Sequence, residues 1–197
     1  NQLTALIGYL ELSRQDTTDP KMLKYIEKEE KAASAIRSQI LFTRDYQNIG
    51  VHSPLWQHIS ETISLASATI DPRKVFIEVS LPPIEVYADP LLEKVFYNLI
   101  DNSLRHGEHV TEIKIRSEEK EDGVDILFED NGTGIPDAQK EKIFRREYFK
   151  NTGFGLFLTR EILAITNLTI TETGICGNGA RFVIHAPRET YRQVKPG

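Results

Sequence analysis

One nine-residue stretch decides how this chain is expected to fold: Asn98-Leu99-Ile100-Asp101-Asn102-Ser103-Leu104-Arg105-His106. It lies in a predicted helix over residues 90–106. Asp89 is a good N-cap, Pro90 suits the first helical position, and Gly107 ends the helix. The core-facing stripe of this helix is apolar and consists of Leu92, Val95, Phe96 and Leu99.

A second face of the same helix carries Asn98, Asn102 and Arg105 at positions i, i+4 and i+7. An amide oxygen is a hard ligand that suits Mg²⁺, and a guanidinium suits phosphate. The three residues are therefore candidates for a magnesium and phosphate site. The alternative is an ordinary solvated helix face.

Two glycine-containing segments follow. Asp130-Asn131-Gly132-Thr133-Gly134-Ile135-Pro136 comes directly after a predicted strand, and the Asp130 carboxylate could accept a hydrogen bond from an exocyclic amine. Asn151-Thr152-Gly153-Phe154-Gly155-Leu156 opens an apolar helix, where backbone amides can bind an anion. The second segment is neither a Walker A loop nor a Rossmann turn. Each on its own is also compatible with an ordinary turn.

Together and in this order, the segments resemble the nucleotide-binding domain of sensor histidine kinases. That domain belongs to the ATPase superfamily shared with type II topoisomerases, a heat-shock chaperone and mismatch-repair enzymes. Residues 98–106 resemble its N box, 130–136 its G1 box, 143–149 its F box and 153–156 its G2 box. The resemblance covers about residues 55–187. It implies a Bergerat-type α/β sandwich with a mixed, mostly antiparallel sheet and helices on one face.

The resemblance also implies roles for single residues. Asn102 would coordinate Mg²⁺ that bridges the phosphates of ATP, and Arg105 would replace a phosphate-contacting lysine. His106 would lie where an aromatic residue stacks on adenine, and Asp130 would accept from the adenine amino group. Asn98 is expected to be both catalytic and nucleotide-binding. The remaining expected nucleotide-binding residues are Gly132, Gly134, Ile135, Gly153, Phe154, Gly155 and Leu156.

The first part of the chain is predicted to be a helical hairpin, over residues 1–48. Asp19 and Pro20 are a cap and first residue for a second helix over residues 20–48. A hairpin this narrow buries little surface alone, so it is expected to pair with a second copy as a four-helix bundle. The alternative is a hairpin packed on its own downstream domain. A linker over 49–54, an ATP-binding domain over 55–190 and a tail over 191–197 are expected to follow.

The pattern between these landmarks predicts one largely antiparallel sheet with helices on one face. Leu55, Ile59, Ile63 and Ala66 indicate a helix that ends near Asp71. Further helices are expected over residues 137–144 and 155–166. Strands are expected over residues 75–79, 84–87, 110–116, 124–129, 168–172 and 181–185.

Residues 1–10 resemble the end of a dimerisation helix of the same kinases. In the family a phosphoaccepting histidine precedes this segment, so it would lie upstream of Asn1. Asn1 would then orient a water molecule for dephosphorylation of the partner. The resemblance implies a homodimer, a response-regulator receiver domain that takes the phosphoryl group, and an upstream sensor domain. The five histidines of the chain all lie outside the hairpin.

Composition narrows the class of protein. A formal net charge of −5 gives no overall attraction to nucleic acid or to an anionic membrane surface. A single cysteine and the lack of a long apolar run favour a cytoplasmic, reducing location without membrane contact. The chain begins with Asn-Gln-Leu-Thr and is expected to be a piece of a longer kinase, unable to phosphorylate itself.

Two departures from the family pattern bear on activity. The segment from Pro136 to Gly153 is short for a nucleotide lid and has Asn151 where a glycine is usual, so weakened ATP affinity is expected. Ala180 stands where many relatives have a threonine that supports the adenine-binding aspartate. The alternatives are a degenerate, non-enzymatic dimerising scaffold and an anti-sigma-type serine kinase. The latter lacks a hairpin of this kind.

Overall fold

The computed structural model describes residues 2–68, 70–71, 73–145 and 154–194. The chain divides into two units: one contains the residues up to Gln47, and the other begins at Asn48.

The first unit is the predicted helical hairpin, formed by α1 (Gln2–Asp16) and α2 (Pro20–Asn48). The Lys21 backbone N–H donates to Asp19 Oδ1 at 2.9 Å, so Asp19 caps α2 as predicted. The hairpin buries only Leu10, Ile26 and Ala33 among its hydrophobic residues. Its large exposed hydrophobic residues are Leu6, Tyr9, Leu12, Met22, Tyr25, Ile36, Ile40, Leu41 and Tyr46.

The second unit contains the remaining elements. They are β1 (Leu55–His58), α3 (Ile59–Ser67), β2 (Phe76–Ser80), β3 (Ile84–Ala88), α4 (Leu92–His106), β4 (Glu112–Lys120), β5 (Gly123–Asp130), α5 (Asp137–Lys140), α6 (Gly155–Ala164), β6 (Thr169–Glu172), β7 (Arg181–Pro187), a 3₁₀ turn (Arg188–Thr190) and β8 (Tyr191–Gln193). None of the described helices combines the length and apolar character needed to cross a bilayer.

The strands form two sheets rather than the single sheet predicted. The larger sheet has the order β2-β4-β5-β7-β6, and the smaller has the order β1-β3-β8. Among the described strands, only β2 and β4 run parallel, and the other pairs are antiparallel. The expected class, a helical hairpin followed by an α/β sandwich with a mixed, mostly antiparallel sheet, is confirmed.

The core of this unit lies where α4 and α6 meet the larger sheet. Alternate residues are buried along β7 and at the start of β4, since successive strand side chains point to opposite faces. Strand β5 buries Ile126, Leu127 and Phe128 in succession. Each fully buried aliphatic or aromatic side chain contributes about 1.5–3 kcal/mol. The buried set includes Phe96, Leu99, Ile100, Ile113, Ile115, Ile126, Phe128, Ile162, Leu163 and Ile184.

The helix expected to start at Leu55 starts at Ile59 instead. Leu55–His58 form strand β1, in which Trp56 pairs with Tyr87 and Gln57 with Val86. Spacing favoured a helix, but pairing with β3 satisfies the backbone groups of this segment in a strand.

Several other boundaries also differ from expectation, among them the following two. The helix expected over 137–144 is regular only over Asp137–Lys140. Part of the expected tail, Tyr191–Gln193, is strand β8, which pairs with Ile84, Glu85 and Val86 of β3. The edge of a short strand supplied hydrogen-bond partners that local patterning does not reveal.

Asp89 stabilises the start of α4 through hydrogen bonds. Its carboxylate is 1% exposed, and it accepts from the Leu91 N–H at 2.8 Å and from the Gly50 N–H at 2.9 Å. Regular helix begins at Leu92, after a turn that this carboxylate stabilises. Gly50 has a φ of +69°, which favours glycine. A residue predicted only as a helix cap therefore also anchors the segment that follows the hairpin.

Candidate functional site

Helix α4 of the second unit carries several of the predicted site residues. Its buried stripe includes Val95, Phe96 and Leu99, which fix the helix against the core. At its C-terminal end the Gly107 N–H donates to the Ser103 carbonyl at 2.9 Å. A Cβ at Gly107 would lie 2.3 Å from Val110 Cγ2, so glycine is required there by close packing.

Asp130 lies at the end of β5 and is 8% exposed. Its Oδ1 accepts from the backbone N–H groups of Gly132 and Ala180, both at 3.0 Å. Its Oδ2 accepts from the Ser103 hydroxyl at 2.5 Å. All three groups are donors, and the carboxylate oxygens are their acceptors. Asp130 is therefore built to receive a donor group such as an exocyclic amine.

Ser103 was not singled out by the sequence patterns, although it belongs to the stretch that opened them. It is 3% exposed and connects α4 to Asp130, 27 residues along the chain. Its position four residues after Leu99 continues the buried stripe of the helix. A polar residue on a core-facing stripe needs a hydrogen-bond partner, and this was the available signal.

The glycines of residues 130–136 serve the packing of their own turn. A Cβ at Gly132 would lie 2.6 Å from the Gly107 carbonyl oxygen, so this turn lies directly against the end of α4. Gly134 has a φ of +71°, and a Cβ there would lie 2.7 Å from the Gly179 carbonyl oxygen. Ile135 is half-buried. Their contact with a nucleotide stays a prediction.

Asn131 holds the same turn to the start of β4. Its Oδ1 accepts from the N–H groups of Thr111 and Glu112 at 2.9 and 3.1 Å, and its Nδ2 donates to Thr111 Oγ1 at 2.8 Å. The turn that carries Asp130 is thus fixed from two sides.

Asn98 connects α4 to α6. It is buried, and its Nδ2 donates to the Gly155 carbonyl at 3.1 Å and to Thr159 Oγ1 at 3.4 Å. A Cβ at Gly155 would lie 3.4 Å from Asn98 Cγ, which is an ordinary van der Waals distance. Phe154 and Leu156, both half-buried, flank it at the start of α6. The Asn98 amide N–H is thus committed to positioning α6, and its predicted catalytic role stays a prediction.

Asn102 is half-buried one turn after Asn98. Its Nδ2 is enclosed and has no hydrogen-bond partner among the described residues. The amide is therefore not committed to the protein through that atom, which fits a residue whose oxygen serves a ligand. No group of three or more His, Cys, Asp or Glu residues in the described ranges could hold a metal. A magnesium ion here would need phosphate oxygens and water as its other ligands.

Arg105 and His106 are exposed at the last turn of α4. Arg105 Nε donates to Asp101 Oδ1 at 2.8 Å, one turn back on the helix. This hydrogen bond raises the pKa of Arg105 above its ordinary value, so the guanidinium stays charged. The structure thus supplies a cation at the position predicted to contact phosphate.

Arg181 follows Ala180 and faces away from Asp130. Its Nε donates to Glu129 Oε1 at 2.6 Å, on the opposite face of β5. Burial raises the pKa of Glu129, but hydrogen bonds from Arg116 and Arg181 outweigh it and hold this pKa below its ordinary value. Arg181 is thus part of a surface charge network rather than of the Asp130 cluster.

Several predicted residues lie outside the described ranges. They are Asn1, the residues of the expected F box after Arg145, and the part of the expected lid over residues 146–153, which includes Asn151 and Gly153. Within the first half of the F box, Phe144 is buried and its ring meets the edge of Phe182 at 6.3 Å between centroids.

Comparison with known proteins agrees with this arrangement. Residues 88–190 match the family model described as histidine kinase-, DNA gyrase B- and HSP90-like ATPase. The signal transduction histidine-protein kinase AtoS of Escherichia coli (strain K12) is 30% identical in an alignment 199 residues long, which covers 95% of this chain and 33% of AtoS. The alginate biosynthesis sensor protein KinB of Pseudomonas aeruginosa is 36% identical in an alignment 103 residues long, which covers 49% of this chain and 17% of KinB. The chain thus spans a third or less of these relatives.

Solved structures show the same fold. The ATP binding domain of PrrB from Mycobacterium tuberculosis aligns with a TM-score of 0.56 and 25% identity, over 69% of this chain and 98% of that domain. Full-length ShkA in complex with AMPPNP aligns with a TM-score of 0.68 and 18% identity, over 99% of this chain and 44% of ShkA.

Proposed function

Because the chain belongs to the family of histidine kinase-, DNA gyrase B- and HSP90-like ATPases, we propose that its second unit binds Mg-ATP and presents the γ-phosphoryl group for transfer. Within that family the chain contains a histidine kinase catalytic ATP-binding domain. The name of the PrrB domain, an ATP binding domain, supports ATP as the ligand.

One observation carries the proposal: the hydrogen bond from Ser103 to the buried Asp130 carboxylate. This hydrogen bond fixes Asp130, the predicted acceptor of a purine amino group, to Ser103 of α4. The residue that precedes Ser103 in α4 is Asn102, the predicted magnesium ligand. The groups for the base and for the phosphates thus belong to one helix turn and the strand end that it contacts.

Each group has a part in this proposal. Asp130 accepts from the amino group of adenine, while Arg105 and the first amides of α6 bind the phosphates. His106 lies beside the base. Asn102 would hold Mg²⁺ through its amide oxygen, and that ion would supply positive charge to offset charge developing on the phosphates.

For the whole protein we infer a sensor histidine kinase of the cytoplasm. It transfers the γ-phosphoryl group to a histidine upstream of Asn1, with ADP as the leaving group, and then to an aspartate of a response regulator. Support comes from AtoS, a histidine-protein kinase whose match includes the hairpin. A hairpin of this kind argues against the anti-sigma type of serine kinase.

Replacing Asn102 with alanine tests the nucleotide site. We expect wild-type protein to bind a non-hydrolysable ATP analogue with magnesium, and Asn102→Ala to bind it about tenfold to a hundredfold more weakly. The loss corresponds to one interaction with a charged group, about 1.5–3 kcal/mol. Isothermal titration calorimetry with magnesium and with EDTA measures it, and the two proteins should differ little in EDTA.

Glu93→Ala is the matched control, because Glu93 is exposed in the first turn of the same helix. It should bind as the wild type does. If wild-type protein binds no nucleotide, the ATP proposal fails and the scaffold interpretation takes its place.

The exposed apolar residues of the hairpin support a homodimer through a four-helix bundle. Ile36 and Ile40, 50% and 55% exposed, lie on α2. They line an open groove with Gln39, Thr43, Arg44 and Gln47. A second hairpin would remove this apolar surface from water, at about 25 cal/mol per Å².

Placing charges in this groove tests the dimer. We expect the double variant Ile36→Glu and Ile40→Glu to shift the mass in sedimentation equilibrium from twice 22.5 kDa to 22.5 kDa. Leu65→Glu, at a leucine of α3 that is 62% exposed, should leave the mass unchanged. A monomeric wild type, or a dimeric double variant, would contradict the proposal.

A further inference from the structure

The side-chain hydrogen bonding around Asp130 is asymmetric. Its Oδ1 receives two backbone N–H groups, from Gly132 and Ala180, and these occupy both lone pairs of that oxygen. Its Oδ2 receives the Ser103 hydroxyl, which leaves one lone pair on that oxygen. A ligand amine can therefore donate a hydrogen bond only to Oδ2.

The direction of the Ser103 hydrogen bond follows from charge. Asp130 has three donors around it and is an acceptor, so the Ser103 hydroxyl donates. The distance of 2.5 Å is typical of an O–H group donating to a carboxylate. Both residues are buried, at 3% and 8% exposure, so water competes little for this bond.

Among the described residues, Ser103 is the only side chain that donates to Asp130. The strand side offers Ala180, which contributes its backbone N–H and has no hydroxyl. The side-chain hydroxyl that fixes the carboxylate is thus supplied by helix α4.

We propose that Ser103 is a positioning residue that orients Asp130 Oδ2 and thereby sets the preference of this site for a 6-aminopurine nucleotide. The inference rests on the proposed nucleotide function and adds a residue to it. With the hydroxyl present, the free lone pair of Oδ2 has one direction. Without it, the same oxygen keeps a second lone pair unsatisfied and loses the group that fixes that direction.

This role differs from a purely structural one in its effect on selectivity. Loss of orientation weakens only the hydrogen bond to the exocyclic amine. A nucleotide without that amine does not make the bond, so its affinity does not depend on Ser103. Loss of structure would weaken both ligands together.

The test is calorimetric titration of the full chain, with magnesium, using ADP and purine riboside 5′-diphosphate, which lacks the 6-amino group. We expect Ser103→Ala to weaken ADP binding about tenfold, within the range for a hydrogen bond to a charged group. Binding of purine riboside diphosphate should change less than about twofold on the same measure. Ser103→Thr keeps the hydroxyl and should retain the preference for ADP.

Thr62→Val is the matched control. It removes another buried hydroxyl of the same unit. Thr62 lies in α3, and its hydroxyl donates to the His58 carbonyl at 2.8 Å. Its preference for ADP should equal that of wild type, and fluorescence of Trp56 checks that each variant is folded.

An unchanged ADP affinity in folded Ser103→Ala overturns the inference. Equal weakening of the two ligands overturns it as well, because that outcome indicates a structural role. If wild-type protein binds neither ligand, the proposed nucleotide function itself has failed, which is a different result.

Discussion

Gly179→Ala is expected to destabilise the second unit by about 3–5 kcal/mol, the range for large backbone and packing disruptions. A Cβ at this position would lie 1.8 Å from the Asp130 carbonyl oxygen, and φ is +97°. The conflicting atom belongs to the backbone, so no side chain can move aside. The displaced strand would also pull the Ala180 N–H from Asp130 Oδ1, and nucleotide binding should fall with stability.

Gly177→Ala separates the effect of backbone strain from the effect of the steric contact with Asp130. Gly177 has a φ of +94°, but nothing lies within 4 Å of a Cβ there. It should cost only the backbone strain, about 1–2 kcal/mol. Urea unfolding followed through Trp56, the single tryptophan, reports on this unit because Trp56 belongs to β1. Equal midpoints for the two variants would show that the contact with Asp130 is not the cause.

Asp130→Asn is expected to weaken binding of the ATP analogue at least about a hundredfold, which corresponds to about 2.8 kcal/mol. The amide oxygen can accept from Gly132 and Ala180, and Ser103 can rotate to accept from the amide NH₂. The fold should therefore survive. The NH₂ group would then face the amino group of the ligand, donor against donor, and the hydrogen bond to the base would be lost.

Glu129→Gln is the matched control, since Glu129 is the neighbouring carboxylate on the opposite face of β5. It pairs with Arg116 and Arg181 and lies outside the Asp130 cluster. It should keep nucleotide affinity although it loses those ion pairs. Calorimetry on both variants measures the difference. A folded Asp130→Asn protein with wild-type affinity would contradict the role given to Asp130.

The elements that the sequence predicted well are those specified by neighbouring residues. Asp19 and Pro20 mark the start of α2, and the predicted end at residue 48 agrees with the structure. A helix cap is a contact between residues two or three positions apart, so it can be recognised without the tertiary fold.

The elements predicted poorly depend on a distant strand. Leu55–His58 has an apolar spacing that suits a helix, yet it forms a strand with β3. Short apolar segments are ambiguous in this way, and only the partner decides between the two conformations. Tyr191–Gln193 became β8 for the same reason.

The same distinction between local and distant contacts applies to the candidate site. Its three motifs could be predicted because glycines, asparagines and Asp130 recur at fixed spacings in the sequence. Their partners could not. Asn98 was predicted to contact the nucleotide, and that stays a prediction. Its Nδ2 also donates to Gly155 and Thr159, because α6 packs against that part of α4.

By itself, then, the sequence determined the family, the helical hairpin, the stripe of α4 and the residues that we propose to bind phosphate, magnesium and an amine. Those properties depend on residue type and local spacing. Only the tertiary structure decided that the strands form two sheets, that the Asn98 amide N–H serves packing, and that Ser103 holds Asp130. A hydrogen bond between residues 27 positions apart exists because packing removes both from water and leaves each as the other's partner.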